Sequence, residues 1–286
     1  MEMIWEVLHH ALEDSVKMLP FLFAAYLLIE FLEHRHSETV ERVLAGGGRF
    51  GFVPGAGLDL GGRCGIYEKA AKRYGSKVIT LGTLIAVFIA TSDEAVPILA
   101  AMPGQWGALA KLLAAKLLAA VAAGFLLDVV LKKAVPQNLR GGFSGHAGDV
   151  DCHDHEAKQS VFVAALRHTL HIFVYIFLFN LVLGAVVHAV GADAIGSFVA
   201  RAGLWQPVLA GLVGLVPNCA ASILLTQLYA AGQLSFAGAV AGLSTSAGVG
   251  LAVLFRANKS VKQNVFIVGL LYVLGVCAGM VAGLFG

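Results

Sequence analysis

Thr91-Ser92-Asp93-Glu94 puts two hydroxyls and two adjacent carboxylates inside an apolar run that begins at Val78. At about 1.5 Å of rise per helical residue, that tetrad falls close to the centre of a bilayer. A charge at that depth costs at least ~2.5–3.5 kcal/mol on insertion scales. Pro97 follows and is expected to free the carbonyls at positions 93 and 94. Carboxylates beside bare carbonyls suit a hard cation, and paired carboxylates can share a proton. The plainer alternative is a neutral acid that locks two helices by a hydrogen bond.

Two cysteines lie at breaks in apolar segments. Cys64 follows Gly61-Gly62-Arg63 within Phe52–Gly75, and Cys219 follows Pro217-Asn218 within Trp205–Ala231. The half-helix after a break presents unpaired N–H groups and partial positive charge. Thiolate ligands there would favour zinc, copper(I) or trivalent arsenic, whereas an unligated cysteine is simply a small buried hydrophobe. Cys277 is read in that second way. Ser244-Thr245-Ser246 echoes the triplet Ala90-Thr91-Ser92 before the acids, with Ala247-Gly248 where the first copy has Asp93-Glu94. Hydroxyls in such helices either line a site or bond back to their own carbonyls. A loop with His146, Asp149, Asp151, Cys152, His153, Asp154, His155 and Glu156 has metal-binding composition without the spacing of a closed site. His168 and His171, Asn180, Glu30, Glu33, His34 and His36 are placed as secondary groups near a membrane interface.

The elements that must hold these residues follow from composition. Apolar types make up 58% of the 286 residues and charged types 13%, about half the share in soluble domains. Mean hydropathy is +0.80. A net charge of +2 excludes the basic footprint of a nucleic-acid binder. The four cysteines form no C-x-x-C pair, so no disulfide framework or zinc knuckle is implied. The class that remains is an all-α polytopic membrane protein. Expected spans are Met18–Leu32, Val78–Ala101, Gly107–Leu131, Val161–Val190, Leu234–Phe255 and Val265–Gly286. The segments Phe52–Gly75 and Trp205–Ala231 read as re-entrant hairpins. Most of the 20 lysines and arginines fall in three linkers (Arg35 to Lys77, Lys132 to Lys158, Arg256 to Lys262). The positive-inside rule makes those linkers cytoplasmic and both termini external.

This order gives two inverted-topology repeats, residues 1–133 and 161–286, each of three spanning helices and one broken hairpin, joined by a cytoplasmic His/Asp-rich linker at 134–160. Arg63-Cys64, Tyr74, Thr80 and Thr91-Ser92 recur as Asn218-Cys219, Tyr229, Ser235 and Thr245-Ser246, at an offset of 155 that drifts to 154 at the last pair. Inverted repeats with broken helices point to alternating access around a midplane site. No nucleotide-binding loop, nucleophile elbow or metalloprotease motif is present. No enzyme activity and no cofactor are expected, and transport would run on an ion gradient.

Several strings resemble the ten-helix heavy-metal exporter family, also labelled arsenic efflux or manganese transporter. They are Leu19-Pro20-Phe21-Leu22-Phe23 with Glu30 and Leu32-Glu33-His34; Thr80-Leu81-Gly82-Thr83-Leu84 running to Thr91-Ser92-Asp93-Glu94-Ala95-Val96-Pro97; Gly214-Leu215-Val216-Pro217-Asn218-Cys219; and Ala241-Gly242-Leu243 through Gly248-Val249-Gly250 to Phe255-Arg256-Ala257-Asn258-Lys259. The resemblance implies a multi-pass exporter of a metal or metalloid in a bacterial inner membrane. One departure stands out. The first break lacks the family's Pro-Gln-Cys-Gly string, and Glu68, Lys69, Lys72 and Arg73 charge the half-helix after it. That half-hairpin is therefore either a cytoplasmic vestibule or an altered site.

The expectation is a secondary exporter that moves a divalent metal or metalloid outward in exchange for protons. Asp93, Glu94 and Cys219 would hold the ion, with Thr91, Ser92, Asn218, Ser244, Thr245, Ser246 and Cys64 lining the site. Asp151, Cys152, His153 and His155 would form a weak loop site. Manganese and arsenite both stay open, as does a homodimer. The competing readings are a membrane-embedded enzyme on a lipid phosphate, with Arg63 as its anion clamp, and a channel or structural subunit.

Overall fold

A computed structural model describes residues 12, 16, 19–27, 31, 50–59, 66–76, 78–92, 94–102, 104–131, 139, 161–190, 203–217, 219–248 and 250–285. The described residues are mostly helical and include no strand. Residues 19–27 form α1. The helices that follow are α2 (Phe52–Asp59), α3 (Ile66–Gly75), α4 (Leu81–Ala90), α5 (Ala95–Ala101), α6 (Trp106–Phe125), α7 (Val161–Val190), α8 (Gln206–Gly214), α9 (Cys219–Ala230), α10 (Phe236–Thr245), α11 (Gly250–Ala257) and α12 (Val261–Ala282). A π-helical turn, Leu126–Val130, prolongs α6.

Among the described residues, four helical stretches are long and apolar enough to cross a membrane: Leu81–Ala101, Trp106–Val130, Phe236–Ala257 and Val261–Ala282. They come in two kinds. The first and third are 88% and 76% buried, whereas the second and fourth are only 33% buried. Leu118, Phe125 and Val130 on α6, and Val265, Val273 and Met280 on α12, are exposed apolar groups. On α7 the exposed residues Phe162, Leu166, Leu170, Val174 and Leu178 recur every fourth position, which makes one helical stripe. Apolar faces of this extent need a cover other than water.

The two buried stretches are not continuous helices, which corrects the spans expected over Val78–Ala101 and Leu234–Phe255. One is interrupted between α4 and α5 at positions 91–94, the other between α10 and α11 at positions 246–249. The physical causes are local. Thr91 Oγ1 and Ser92 Oγ donate to the carbonyls of Val87 and Ala90, both at 3.0 Å, and such back-bonds bend or end a helix. Pro97 sits in the first turn of α5, where its missing N–H is tolerated. In the second stretch Gly248 takes a positive φ of 47°, a conformation that favours glycine.

The helices α4 to α6 and α10 to α12 share their order. Leu81 and Phe236 start α4 and α10, Ala90 and Thr245 end them, Ala95 and Gly250 start the next pair, and Trp106 and Val261 the last, each 155 positions apart (81 to 236, 90 to 245, 95 to 250, 106 to 261). This removes the drift to 154 read from sequence. Thr245 pairs with Ala90, and the helix caps Thr91 and Ser246 correspond. The residues matching Asp93-Glu94 are therefore Gly248-Val249.

Each buried stretch runs along the helix that follows it, in the opposite direction. In the first pair, Asp128 near the end of α6 accepts from Gly82 N at 3.0 Å and from the Thr80 hydroxyl at the start of α4. Thr80 in turn caps α4, accepting from Thr83 N at 3.1 Å. In the second pair, Gly275, Gly279 and Gly283 lie on one face of α12 against Thr245, Ala241 and Ala237 of α10. A Cβ on Gly275 would come 2.6 Å from Thr245 Cγ2, so only glycine allows this approach. Such small-residue spacing is how helices pack closely where no hydrophobic force separates helix from solvent.

The helix after each break crosses over. α5 belongs to a core with α8, α9 and α10: Ala95 and Leu99 pack with Ala210, Leu225 and Leu243. α11 belongs to a core with α2, α3 and α4, where Leu251 and Leu254 pack with Ala70, Tyr74 and Phe88. α3 packs on α11, and α9 on α5. In a third cluster α1 joins α5, α7 and α9 through Leu22, Tyr26, Ile98 and Ile172.

Candidate functional site

The interruption at 91–94 brings a carboxylate to the second half of the chain. Glu94 is 8% exposed, and Ser222 Oγ donates to its Oε2 at 2.6 Å. Ser222 lies in the first turn of α9, one turn after Cys219. The carboxylate thus sits by the positive end of that helix, where negative charge is favoured. Sequence reasoning missed Ser222. The signal was its i, i+3 spacing from Cys219, which puts both on one helix face.

A second polar group was missed altogether. Lys116 lies near the middle of the stretch Trp106–Val130 and is fully buried. Its Nζ donates to Leu243 O at 2.8 Å and to Thr91 O. Both acceptors are end carbonyls, since Thr91 caps α4 and Leu243 belongs to the last turn of α10. The last four carbonyls of a helix have no N–H partner within it. The ammonium therefore joins the C-terminal ends of α4 and α10, the helices before the two breaks. The clue in the sequence was a lone lysine flanked by Leu112, Leu113, Ala114, Ala115, Leu117 and Leu118.

The other candidate residues divide by what they touch. Thr91 and Ser92 are buried and their hydroxyls donate back to their own helix. Thr245 Oγ1 engages the carbonyls of Gly211 at 2.8 Å and Gly242 at 3.0 Å, tying α10 to α8. Ser246 is buried in the break. Ser244 Oγ and Gln227 Nε2 are buried with no hydrogen-bond partner among the described residues. The carbonyl of Glu94 is not freed by Pro97, because it accepts from Ile98 N at 3.2 Å. The end carbonyls that take the lysine are those of Thr91 and Leu243.

Asp93, Asn218, Cys64, Arg63, Glu30, Glu33, His34 and His36 lie outside the described residues, as does the loop with His146, Asp149, Asp151, Cys152, His153, Asp154, His155 and Glu156. Cys219 opens α9, while His168 and Asn180 lie within α7. His171 is exposed and meets Tyr175 edge-on at 5.0 Å, and Cys277 is an exposed free thiol. In α3, Ala70, Ala71 and Tyr74 are buried while Lys72 and Arg73 are half-buried. Among the described residues no group of three His, Cys, Asp or Glu side chains converges on a metal position.

The described residues make a mostly helical protein with four helical stretches long and apolar enough to cross a membrane, and with polar groups gathered where two of them break. No protein-family model, curated protein or solved structure matches the chain.

Proposed function

We propose that the chain is a secondary-active exporter of a heavy-metal or metalloid ion, coupled to protons, in a bacterial inner membrane. Its architecture is read as two inverted-topology repeats, each with three spanning helices and a broken re-entrant hairpin. Corresponding helix boundaries 155 positions apart support that reading (81 to 236, 106 to 261). So does the end of α8 and restart of α9 around Pro217. The carrying observation is the hydrogen bond from Ser222 to buried Glu94. It joins a broken helix of one half to the broken hairpin of the other. Secondary carriers gather substrate and coupling-ion groups at such a crossing.

The described oxygen groups of the first break and its partner helix are the Glu94 carboxylate and the hydroxyls of Ser222, Thr91 and Ser92, with the Lys116 ammonium on the Thr91 carbonyl. Oxygen donors favour manganese among the metals considered, and participation by Cys219 would shift preference toward zinc or arsenite. Asp93, Asn218 and Cys219 complete the proposed site. The lipid-phosphate enzyme rested on Arg63 as an anion clamp, and no described residue supplies another reason for it.

Metal accumulation in cells with and without the protein, across manganese, zinc, cobalt, arsenite and antimonite, tests the proposal. Lower internal content of at least one ion is expected. Equal content for all five removes the exporter reading.

A further inference from the structure

The Lys116 ammonium stands at the edge of the oxygen site just described, on the carbonyl of Thr91. It is supplied by α6 to two carbonyls at the ends of two other helices. Packing does not demand a lysine there. The position 155 residues on, in α12, is Leu271, which is equally buried (116 to 271). Around this pair the two helices share one burial pattern: Leu109, Leu112 and Ala120 of α6 match Asn264, Ile267 and Gly275 of α12 (109 to 264, 112 to 267, 120 to 275), all buried. One member of a matched pair thus carries a charge that the other half does without.

The acceptors explain the difference. Carbonyls at helix C-termini carry the negative end of the helix dipole. Two such ends converging away from water form a cation position, of the kind that unwound segments and half-helix ends give to coupling ions. α4 and α10 bring no charged side chain. α12 brings Lys262 in its first turn, and its Tyr272 hydroxyl is donated to Val208 O at 3.1 Å. Glu94, three residues beyond Thr91, accepts from Ser222.

We infer that Lys116 fills, with its own tethered ammonium, a monovalent-cation site between the C-terminal ends of α4 and α10, and that the protein therefore works without sodium. The claim about transport rests on the exporter reading. The claim about the site does not. The ligand class, once the side chain is cut back, is an alkali cation or a small alkylammonium.

Thermal unfolding of the purified full-length protein tests the site directly, with sodium, potassium, ethylammonium or choline chloride at equal ionic strength. The wild-type midpoint is expected to be the same in all four. Lys116→Ala should unfold earlier in choline and recover by about 4 °C in sodium, potassium or ethylammonium, because a ligand that binds only the folded state stabilises it. Lys116→Gln keeps one amide donor and should fold, with a smaller cation response. A Lys116→Ala midpoint indifferent to all three cations overturns the inference, as does a wild-type midpoint raised by sodium as much as the variant's. If Lys116→Ala yields no folded protein in any salt and Lys116→Gln is indifferent, the inference also fails. Manganese flux into proteoliposomes then separates the two readings. Wild-type flux should be unchanged by sodium, and Lys116→Ala flux should require it. No wild-type flux of manganese, zinc, cobalt, arsenite or antimonite defeats the exporter reading while the unfolding result still decides the site.

Discussion

The interruption between α4 and α5 and the one between α10 and α11 occupy corresponding places in the chain, yet they are chemically unlike. The first offers Thr91, Ser92 and Glu94, holds Ser222 through a carboxylate, and takes Lys116 on its end carbonyl. The second runs Ser246-Ala247-Gly248, with Gly248 at positive φ, and its end carbonyl at Leu243 completes the lysine clamp. A shared backbone device has thus been loaded with ionisable groups on one side only. Every buried charge must be separately accommodated, and among the described residues only the first break carries that cost.

The widest gap between the two breaks should appear in transport. Glu94→Gln is expected to lower manganese efflux about 100-fold, as loss of a charged group acting at the site would, while Ser246→Ala stays within about threefold. Efflux from loaded cells measures both, and equal losses would erase the contrast. Next comes the lysine's matched position. Leu271→Lys introduces a second fully buried lysine, and should cost at least ~2.5–3.5 kcal/mol, read as loss of folded protein on size-exclusion chromatography. Wild-type yield would show that α12 tolerates charge as α6 does.

Smaller effects probe the packing. Gly279→Leu forces a side chain into Ala237 and Ala241 of α10 and should cost about 1–3 kcal/mol, as overpacking does. The same change at Gly269, where a Cβ meets nothing within 4 Å, should leave the thermal midpoint nearly unchanged. The smallest contrast is between the caps. Ser235→Ala removes one bond to Gly238 N and should cost about 1 kcal/mol. Thr80→Ala also strips a donor from Asp128 and should cost more. Equal shifts in midpoint would show that Asp128 contributes nothing through Thr80.

Composition alone was enough to read an all-helical chain with spans near Trp106–Val130 and Val261–Ala282, since long apolar runs have few other uses. The break at Pro217 was legible for the same reason that a proline is: it lacks a donor. The interruptions at 91–94 and 246–249 were harder to see. Thr91 and Ser92 end α4 by bonding to its own carbonyls, and hydroxyl residues do so only where packing selects that rotamer. Glu94 stood out by charge. Lys116 did not, because it is the second of two lysines in Lys111-Leu112-Leu113-Ala114-Ala115-Lys116, and only burial separates it from exposed Lys111. The crossing of α5 and α11 could not be read at all, since short apolar helices carry no mark of which neighbour they will join.

That crossing constrains how the chain is made. Phe88, Tyr74 and Ala70 pack with Leu251 and Leu254, which leave the ribosome long after them, so that part of the interior stays open until α11 has been made. Severing the chain in the linker would leave two fragments that each lack a piece of their own interior, and only their reunion could close both.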